Sequence, residues 1–356
     1  MIDWTDEKTH AFLVQILNTL VRGRDLSDEE TTTLMTIIMT GRCPDVLLSA
    51  ILTAWRIKGE SVEEMTASVR VIRSLAKTVV LDADKAVDIV GTGGDGANLL
   101  NVSTAATFVV AASGGVVAKH GSTGVSSRSG ASDLLMVAGV SLLSEPAQIA
   151  QCVDKTGMCF MFAPNHHPAM RHAKAVRGAL KIRTIFNILG PLTNPSFPKH
   201  TLLGVYDVSL CEKLAKVMGE LGSHHVWVVH SDDGLDEISL AVATTVCEYK
   251  NGQISTFKIS PNDVGIATQS LDGLYVSSPD ESFALIKSAL QGQSDNPQTQ
   301  KAQDIIALNA GASLYLVGQA DSFKAGVALA KSTINSGKAW EKLQEFAKVT
   351  QSYASV

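Results

Sequence analysis

Residues 87–96 read VDIVGTGGDG, a short apolar run that ends in four glycines and an aspartate. An apolar run bounded by turn residues is typical of a buried strand. Four glycines after such a strand let backbone amides close around an anion. Residues 101–104 (NVST) follow and are expected to cap a helix, whose N-terminus also favours negative charge. The segment therefore predicts a strand, an anion-binding loop and a helix in that order.

The alternation of short β-rich runs with helical patterns continues along the chain. The candidate strands are residues 86–90, 115–119, 157–162, 201–206 and 225–230, and the candidate helices are residues 103–113, 129–138 and 209–221. Asn251-Gly252 predicts a hairpin turn. The chain ends in predicted helices at 279–291, 300–315 and 320–335. This alternation predicts an α/β fold with a mainly parallel central sheet.

Residues 1–73 carry only helical patterns. Ser27 and Ser61 each precede a glutamate by three residues, which is the capping-box signature of a helix N-terminus. A chain of 356 residues, at about 150 residues per domain, also suggests two domains. We therefore expect a small all-helical domain over 1–73 and a larger α/β domain over 74–356, with part of 165–195 packing toward the helical domain.

The composition disfavours several classes of protein. Thirty basic and 35 acidic residues give a net charge of −5, which argues against a protein whose main ligand is nucleic acid. The chain has neither a basic start followed by an apolar run nor about 18 consecutive apolar residues, so we expect no secretory signal and no membrane span. Its five cysteines are scattered without a C-x-x-C pair. That pattern favours reduced thiols in the cytoplasm over disulfides or structural zinc.

The glycine loop has the spacing of a dinucleotide-binding fingerprint but lacks its context. Gly91, Gly93 and Gly96 satisfy G-x-G-x-x-G. The fingerprint also needs a helix at the glycines and an acid about 20 residues later, whereas the next acid after Asp95 is Asp133. No Gly-Lys-Ser/Thr follows, so the loop is not a Walker A motif. A nicotinamide-dependent oxidoreductase is therefore disfavoured.

Two further loops extend the predicted site. Residues 119–130 (KHGSTGVSSRSG) combine a cation, glycines and hydroxyls just before a helix. A second anion loop after the next strand suggests a ligand with more than one phosphate. Residues 232–237 (DDGLDE) follow the strand that ends at His230. Carboxylates on a loop can converge, and Mg²⁺ often bridges protein carboxylates and substrate phosphates, so these loops predict a magnesium site.

Several motifs resemble those of the anthranilate phosphoribosyltransferases. They are GTGGDG at 91–96, NVST at 101–104, the KHG loop at 119–130, HPAMRHAKAVR at 167–177, RTIFNILGPLTNP at 183–195 and GLDE at 234–237. The resemblance covers nearly the whole chain. It implies transfer of a phosphoribosyl group from 5-phosphoribosyl 1-diphosphate (PRPP) to the amine of anthranilate, the second step of tryptophan biosynthesis. It also implies Mg²⁺, as two ions, and a homodimer formed through the helical domain.

The resemblance implies roles for individual residues as well. The residues implied in catalysis are Lys119, Arg177, Asp236 and Glu237. The residues implied in PRPP binding are Gly91, Gly94, Asp95, Leu99, Asn101, Val102, Ser103, Thr104, Lys119, His120, Gly121, Ser126, Ser127 and Ala131. Those implied in anthranilate binding are Gly91, His120, Ser122, His167 and Arg177. Those implied in magnesium binding are Ser103, Asp236 and Glu237.

The chemistry explains why such residue types would be used. As pyrophosphate leaves the ribosyl carbon, negative charge grows on the leaving group, where Mg²⁺ and amide donors stabilise it. An aromatic amine is already neutral at pH 7, so no strong general base is required and catalysis depends mainly on positioning. The forked guanidinium of Arg177 matches the carboxylate beside that amine.

Four positions depart from the family pattern. The family usually has Asn-Arg where this chain has Ser122-Thr123, Thr or Ser at the position of Leu99, and Ser at the position of Ala131. Three hydrogen-bonding partners and one arginine are thereby changed. We expect weaker substrate binding than is usual for the family, without loss of the reaction.

Two other functions stay open from the sequence. A phosphoribosyltransferase or a pyrimidine nucleoside phosphorylase of the same fold would use another acceptor; the segment 167–195 argues against a phosphorylase, but the altered KHG loop leaves another amine open. A relative without catalysis would bind nucleic acid, and the intact Asp236-Glu237 pair and the charge of −5 argue against it. Salt-sensitive DNA binding without PRPP turnover would favour that alternative.

Overall fold

The structure is a computed structural model that describes residues 6–124 and 128–354. Its helices are α1 (Asp6–Val21), α2 (Asp28–Met39), α3 (Asp45–Lys58), α4 (Val62–Ser74), α5 (Val102–Ala112), α6 (Ala131–Val137), α7 (Pro146–Thr156), α8 (Ala163–His166), α9 (Arg171–Leu180), α10 (Ile185–Leu189), α11 (Leu210–Glu220), α12 (Pro279–Leu290), α13 (Pro297–Leu316), α14 (Phe323–Asn335) and α15 (Lys338–Ala354). Its strands are β1 (Ala86–Gly91), β2 (Val116–Gly121), β3 (Met158–Phe162), β4 (His200–Gly204), β5 (His225–Ser231), β6 (Thr244–Lys250) and β7 (Gln253–Ile259). Within the described ranges, no helix has the length and apolar character needed to cross a membrane.

The chain divides into two compact units. The helical unit consists of Met1–Lys77 and Pro164–Thr193, and the α/β unit consists of Thr78–Ala163 and Asn194–Val356. Each unit is therefore built from two separate segments of the chain.

The early helices of the helical unit begin where the sequence predicts. The Ser27 hydroxyl accepts a hydrogen bond from the Glu30 amide (3.2 Å), and the Glu30 carboxylate accepts one from the Ser27 amide (3.0 Å). Ser61 and Glu64 form the same capping box at the start of α4. Each box satisfies two amides that a helix end would otherwise leave unpaired.

The Glu64 carboxylate also links several parts of the helical unit. It is buried and accepts hydrogen bonds from the Leu26 amide (2.8 Å), the Trp55 indole (3.0 Å) and the Lys58 ammonium (2.7 Å). A buried charge is costly unless it is paired and hydrogen-bonded. Here these partners hold the segment before α2 and the last turns of α3 against the start of α4.

The α/β unit contains a seven-stranded sheet in the order β3-β2-β1-β4-β5-β6-β7. The first five strands are parallel, and β6 and β7 extend the sheet as an antiparallel hairpin. Positive φ angles at Asn251 (47°) and Gly252 (87°) form the predicted two-residue turn. The predicted fold class, a small helical part and a larger α/β part with a mainly parallel sheet, is confirmed.

The strand order reverses at β1. The chain runs outward from β1 through β2 to β3 and then returns to the other side of β1 with β4. Ligands of open α/β sheets bind outside the carboxyl ends of the strands at such a reversal. The β1–β4 pairing runs from Val87 opposite His200 to Gly91 opposite Gly204. Two glycines therefore lie side by side at the edge where the fold predicts a ligand.

The pairing of β1 with β2 is shorter. It joins Ala86 to Val116 and Val87 to Val117, whereas β2 continues to Gly121 alongside β3. The carboxyl-terminal halves of β1 and β2 are therefore not joined by a regular backbone ladder. A buried backbone group left without a partner costs about 1–3 kcal/mol, so this gap requires hydrogen bonds from elsewhere.

Helix α5 is held inside the α/β unit. Most of its residues are buried, and it packs against α13, α14 and α15. A helix that is apolar on every side is stable only when it is covered on every side. Its first turn, which carries Ser103 and Thr104, is thereby held in one position at the end of the glycine loop.

Candidate active site

The glycine loop connects the end of β1 to the start of α5. Gly93, Gly94 and Gly96 have φ angles of 62°, 84° and 73°, in a region that other residues rarely adopt. At the far end of the loop, the Leu100 amide donates a hydrogen bond to the Leu274 carbonyl (3.0 Å). The loop is therefore anchored at both ends, and its backbone turns at the glycines in between.

Asn101 occupies the N-cap position of α5, but its side chain does not cap the helix. Its Oδ1 accepts hydrogen bonds from the Ser129 and Ser282 hydroxyls (2.7 Å each), and its Nδ2 donates to the Ser129 carbonyl (3.0 Å). The predicted Asn cap is therefore wrong, because serines from two distant segments engage the amide. An acid takes over part of the capping role, since the Ser103 amide donates to the Glu237 carboxylate (3.2 Å).

Asp236 and Glu237 reach the amides of the glycine loop and of α5. The Asp236 carboxylate accepts a hydrogen bond from the Gly93 amide (2.7 Å), while Glu237 accepts the one from Ser103. Burial, and then the charge of Asp95, raise the pKa of Asp236 to about 7. Burial, and then the charge of Asp236, raise the pKa of Glu237 to about 8. The two carboxyl groups therefore lie in a buried place where negative charge accumulates.

The other two acids of the same turn point to different partners. Asp232 forms an ion pair with Lys258 (2.7 Å), and Asp233 accepts a hydrogen bond from the Ser239 hydroxyl (2.7 Å). The acidic segment therefore contributes two of its four carboxylates to the site. Asp232 instead pairs with a residue of β7, and Asp233 bonds to a serine shortly after the turn.

Gly204 lets the acidic turn lie directly against the end of β4. A Cβ atom at Gly204 would overlap the carbonyl oxygen of Asp236, and a Cβ atom at Gly91 would overlap its carboxylate. The sequence patterns indicated Gly91 but not Gly204. The available signal was a glycine inside the predicted strand 201–206, because such a glycine often marks a close backbone approach.

Lys119 brings positive charge to the same place. It is buried in β2, and its ammonium donates hydrogen bonds to the Ile89 carbonyl (2.5 Å) and to the Ser103 hydroxyl (3.4 Å). Burial lowers the pKa of Lys119, and the charges of Asp88 and Glu237 oppose that effect. The ammonium is therefore held between β1 and the first turn of α5.

The arrangement of charges fits a divalent cation. The carboxylates of Asp95, Asp236 and Glu237 interact with one another, and those of Asp236 and Glu237 also interact with the ammonium of Lys119. Among residues 6–124 and 128–354, no group of three or more His, Cys, Asp or Glu side chains is placed to hold a metal alone. Mg²⁺ is commonly bound through one or two carboxylates together with phosphate and water oxygens. The residues present match that requirement, and the Ser103 hydroxyl adds a neutral oxygen.

The second anion loop begins at the end of β2. The Asp133 carboxylate accepts hydrogen bonds from the Gly124 amide (2.9 Å) and the Gly130 amide (2.8 Å), which brings the two ends of the loop together. Ser126 and Ser127, which the resemblance implies as PRPP contacts, lie outside the described residues.

The other residues implied in PRPP binding lie on the same loops and helix. Thr104 is in the first turn of α5, and among the described residues its buried hydroxyl has no hydrogen-bond partner. The Val102 side chain is buried in the core, and its amide donates to the Leu100 carbonyl (2.7 Å). Both the side chain and the amide of Val102 therefore already have partners within the protein. The α/β unit also contains Gly91, Gly94, Asp95, Leu99, His120, Gly121, Ser122 and Ala131.

The helical unit contains the other two residues implied in anthranilate binding, His167 and Arg177. The Arg177 guanidinium lies over the ring of Phe186, 5.3 Å from its centroid. Stacking of this kind uses the face of the guanidinium and leaves its N–H edge for an acceptor. Burial lowers the pKa of Arg177, which reflects partial exclusion of water from the group.

His167 is neutral at physiological pH. Burial, and then the charge of His166, lower its pKa to about 4. A neutral imidazole can donate one hydrogen bond and accept one, but it brings no positive charge to an anionic ligand. Arg177 is therefore the better partner for a carboxylate in this unit.

Acidification is expected to lower the free energy of unfolding through His167. Between pH 6.5 and pH 4 the unfolded chain binds a proton that the folded chain does not, so stability rises with pH across this window. A shift from 6.5 to about 4 costs about 2 kcal/mol of stability at pH 5. Thermal unfolding of the wild-type chain and of His167→Gln at pH 7 and pH 5 measures the effect. The variant should lose less stability than the wild type, and an equal loss would contradict the assignment.

Comparison with known proteins places these features in a family. A family model described as "Glycosyl transferase family, a/b domain" matches residues 83–340, and one described as "Glycosyl transferase family, helical bundle domain" matches residues 14–76. The anthranilate phosphoribosyltransferase of Psychrobacter sp. (strain PRwf-1) is 50% identical over 356 residues, which cover 98% of this chain and 96% of that protein. The enzyme of the same name from Saccharophagus degradans is 52% identical over 326 residues, covering 92% and 95%.

Solved structures agree with the curated relatives. A crystal structure of anthranilate phosphoribosyltransferase from Thermus thermophilus has a TM-score of 0.87 and 36% identity, and the match covers 94% of this chain and 99% of that one. The enzyme from Saccharomyces cerevisiae in complex with PRPP and Mg has a TM-score of 0.87 and 27% identity, covering 96% and 98%. Two family models match most of the chain, and relatives about 50% identical align over nearly its whole length. This chain therefore belongs to the anthranilate phosphoribosyltransferase family of glycosyl transferases.

Proposed function

We propose that this chain transfers the phosphoribosyl group of PRPP to the amine nitrogen of anthranilate and releases pyrophosphate, the second step of tryptophan biosynthesis. The observation that carries the proposal is the meeting of Lys119, Glu237 and the first turn of α5 at the end of the glycine loop. Amides, hydroxyls, an ammonium and carboxylates are the groups that a magnesium-bound diphosphate requires.

PRPP is bound at the glycine loop and the first turn of α5. The helix N-terminus favours negative charge, and the hydroxyl of Thr104, which has no partner among the described residues, is available to donate to a phosphate oxygen. The Lys119 ammonium supplies the positive charge, and the Ser103 hydroxyl lies beside it. The residues that we assign to PRPP are those implied by the resemblance, with Val102 contributing packing because its amide is already engaged.

Ser103, Asp236 and Glu237 would hold Mg²⁺, and we propose two ions. The Saccharomyces cerevisiae relative whose structure is described as a complex with PRPP and Mg supports magnesium use in this family. When bound, Mg²⁺ neutralises charge on the diphosphate and makes it a better leaving group. Hydrogen bonds from the Gly93 and Ser103 amides hold the two carboxylates at the site.

The reaction breaks the bond between the anomeric carbon and the diphosphate oxygen and forms a bond from that carbon to the amine nitrogen. The amine supplies the electron pair, pyrophosphate leaves with the pair of the broken bond, and the ammonium product releases one proton. An aromatic amine is neutral at pH 7, so no strong base among the chain's residues is needed. The protein therefore accelerates the reaction by positioning both substrates and by stabilising charge on the leaving group.

Arg177 binds the carboxylate of anthranilate. Its guanidinium is stacked on Phe186 and offers a planar pair of donors, which a carboxylate can accept in bidentate fashion. The structure of the Saccharomyces cerevisiae relative in complex with 4-fluoroanthranilate supports an aromatic-acid acceptor for this family. His120, Ser122, His167 and the Gly91 backbone are assigned to the same substrate.

Replacement of Arg177 by Ala is expected to raise KM for anthranilate by about 30-fold, because a charge-assisted pair contributes about 2 kcal/mol. KM for PRPP should change little. Steady-state kinetics with each substrate varied in turn measures both constants. Arg177→Lys is the matched control, since it keeps the charge but loses the fork, and it should fall between wild type and Ala. An unchanged KM for anthranilate in Arg177→Ala would exclude the role.

The Ser122-Thr123 pair is expected to weaken substrate binding relative to the family pattern. Restoring that pattern with Ser122→Asn and Thr123→Arg should lower KM for both substrates by about threefold to tenfold, since each restored hydrogen bond is worth about 1 kcal/mol. Initial rates of the double variant and of each single variant test this prediction. KM values that stay the same or rise would show that the chain has adapted to the shorter residues.

Our proposal extends to assembly and location. We propose a homodimer formed through the surface of the helical unit, which exposes large apolar side chains at Val21 (69%), Val46 (80%) and Ile57 (82%). The five cysteines are free thiols in buried or half-buried positions, which suits the reducing cytoplasm.

The decisive experiment follows anthranilate fluorescence when the purified chain is mixed with PRPP, with Mg²⁺ present and with EDTA in its place. A magnesium-dependent loss of fluorescence supports donor, acceptor and metal together. No loss while PRPP is still bound would point to another amine acceptor. Salt-sensitive DNA binding without any PRPP turnover would instead support the non-catalytic alternative.

A further inference from the structure

The gap between β1 and β2 is closed by side chains. The backbone pairing of these strands stops after Val87 and Val117, although both strands continue to the site. Beyond that point the Asp88 carboxylate accepts a hydrogen bond from the His120 amide (3.2 Å), and the Lys119 ammonium donates to the Ile89 carbonyl. Side chains therefore replace the ladder at the end of the sheet that carries Lys119.

Asn194 also takes the place of backbone pairing between β1 and β2. Its Nδ2 donates to the Asp88 carboxylate (2.7 Å) and to the Ala118 carbonyl (2.7 Å). Its Oδ1 accepts hydrogen bonds from the amide (2.9 Å) and the hydroxyl (2.8 Å) of Ser196. Asp88 is 1% exposed and Asn194 is 2% exposed, so water cannot readily take over these hydrogen bonds. Buried polar networks of this kind specify one arrangement when every member is satisfied.

These contacts lie directly next to Lys119 along the chain. The residues before and after it, Ala118 and His120, are the backbone partners of the Asn194–Asp88 pair in β2. These contacts fix the backbone on either side of Lys119 relative to β1, and the Lys119 side chain reaches Ile89 and Ser103 from there. A change in this spacing would displace the ammonium from the first turn of α5.

We propose that Asp88 and Asn194 are a pair of positioning residues that hold β2 apart from β1 and so place the Lys119 ammonium for PRPP. The inference rests on the proposed function, in which Lys119 binds PRPP. Neither residue touches the substrate in this scheme. Their effect is transmitted through the backbone of Ala118 and His120, and the charge of Asp88 also acts directly on the Lys119 ammonium.

The hydrogen-bonding pattern of the pair suggests the test. Asp88→Asn keeps an acceptor for the His120 amide but places a donor against the Asn194 amide. Asn194→Asp places two carboxylates together. The double variant Asp88→Asn/Asn194→Asp restores one donor facing one acceptor. Each single change should therefore harm the geometry, and the double change should partly restore it.

The measured quantities are kcat, KM for PRPP and KM for anthranilate in the full-length chain. We expect Asp88→Asn and Asn194→Asp each to raise KM for PRPP by about tenfold or more, and to leave KM for anthranilate within about twofold of wild type. The double variant should have a KM for PRPP about threefold or more below that of either single variant. The control is Val228→Ala, which removes buried methyl groups from β5 of the same sheet. It should lower Tm and leave KM for PRPP unchanged, because a merely destabilised chain loses active enzyme and not affinity.

Several outcomes separate the inference from the function on which it rests. An unchanged KM for PRPP in Lys119→Met would contradict the proposed role of Lys119. A raised KM in Lys119→Met with an unchanged KM in Asp88→Asn would overturn the positioning pair alone, as would a double variant worse than both single variants. If the single variants do not fold, Ser196→Ala removes one hydrogen bond from Asn194 and should still raise KM for PRPP about twofold to threefold; no change would overturn the inference.

Discussion

Replacing Asp236 by Asn together with Glu237 by Gln is expected to lower kcat by about 10³-fold, since one preorganised electrostatic group at a developing charge contributes about 10²–10³-fold. The amide oxygens can still accept from the Gly93 and Ser103 amides, so the loop and α5 keep their contacts. What is lost is the negative charge that would hold Mg²⁺. The rate of anthranilate consumption at saturating PRPP, measured over a range of Mg²⁺ concentrations, gives the result.

The thermal stability of this double variant should not fall together with its kcat. Burial raises the pKa of both carboxyl groups, so the folded chain without metal is less stable than it would be with neutral groups at these positions. The double variant is therefore expected to have a Tm equal to or above that of the metal-free wild type. A lower rate combined with an unchanged or higher Tm separates loss of the metal site from loss of folding.

The same turn offers a matched control. Asp232→Asn with Asp233→Asn removes two acids whose partners are Lys258 and Ser239, not the amides of the site. We expect kcat within about threefold of wild type for this control, as for changes away from reacting groups. If the Asp236/Glu237 variant kept kcat within the same range, the carboxylates would have no part in the reaction.

Replacing Gly204 by Ala is expected to lower kcat/KM by about 10²-fold, since a displacement of about 1 Å in a positioned group can have that effect. The added Cβ atom would overlap the carbonyl oxygen of Asp236. Because the obstacle is backbone, the acidic turn must move away from β4 and carry its carboxylates with it. Kinetics at saturating Mg²⁺, together with Mg²⁺ titration of the variant, tests this prediction.

Gly190→Ala is the control for the effect of a methyl group on a glycine. A Cβ atom at Gly190 meets no other atom within 4 Å, and its φ of −48° suits any residue. Activity and Tm should therefore be nearly unchanged in this variant. Equal losses in both variants would mean that the close approach of Gly204 to Asp236 does not determine the position of the acids.

The features that the sequence predicted well are those with local signals. The capping boxes at Ser27 and Ser61 mark the starts of α2 and α4. The predicted strand at 225–230 is observed as His225–Ser231, because a short run of β-branched residues between turn residues is itself the signal. The predicted start of α13 at residue 300 differs from the observed start at Pro297, because Asn296 caps the helix through the Gln298 and Thr299 amides.

The features that it could not predict depend on residues far apart in the chain. Asn194 is 106 positions from Asp88, and Ser282 is 181 positions from Asn101. Nothing within a local window distinguishes an Asn that caps a helix from one that binds two distant serines. The family resemblance named the groups expected at the substrates, but it did not indicate the side chains that support the backbone behind Lys119.

The two-segment construction of each unit has a consequence for synthesis on the ribosome. The helical unit needs Pro164–Thr193, and α9 and α10 from that segment pack on α2, α3 and α4. The first four helices therefore cannot complete their unit until residues 78–193 have been synthesised, which takes roughly 6–23 s at ordinary elongation rates. During that interval the surfaces of α2, α3 and α4 that α9 and α10 cover in the folded unit are exposed, and chaperones can bind them. A fragment ending at residue 77 should accordingly aggregate or remain partly folded when it is expressed alone.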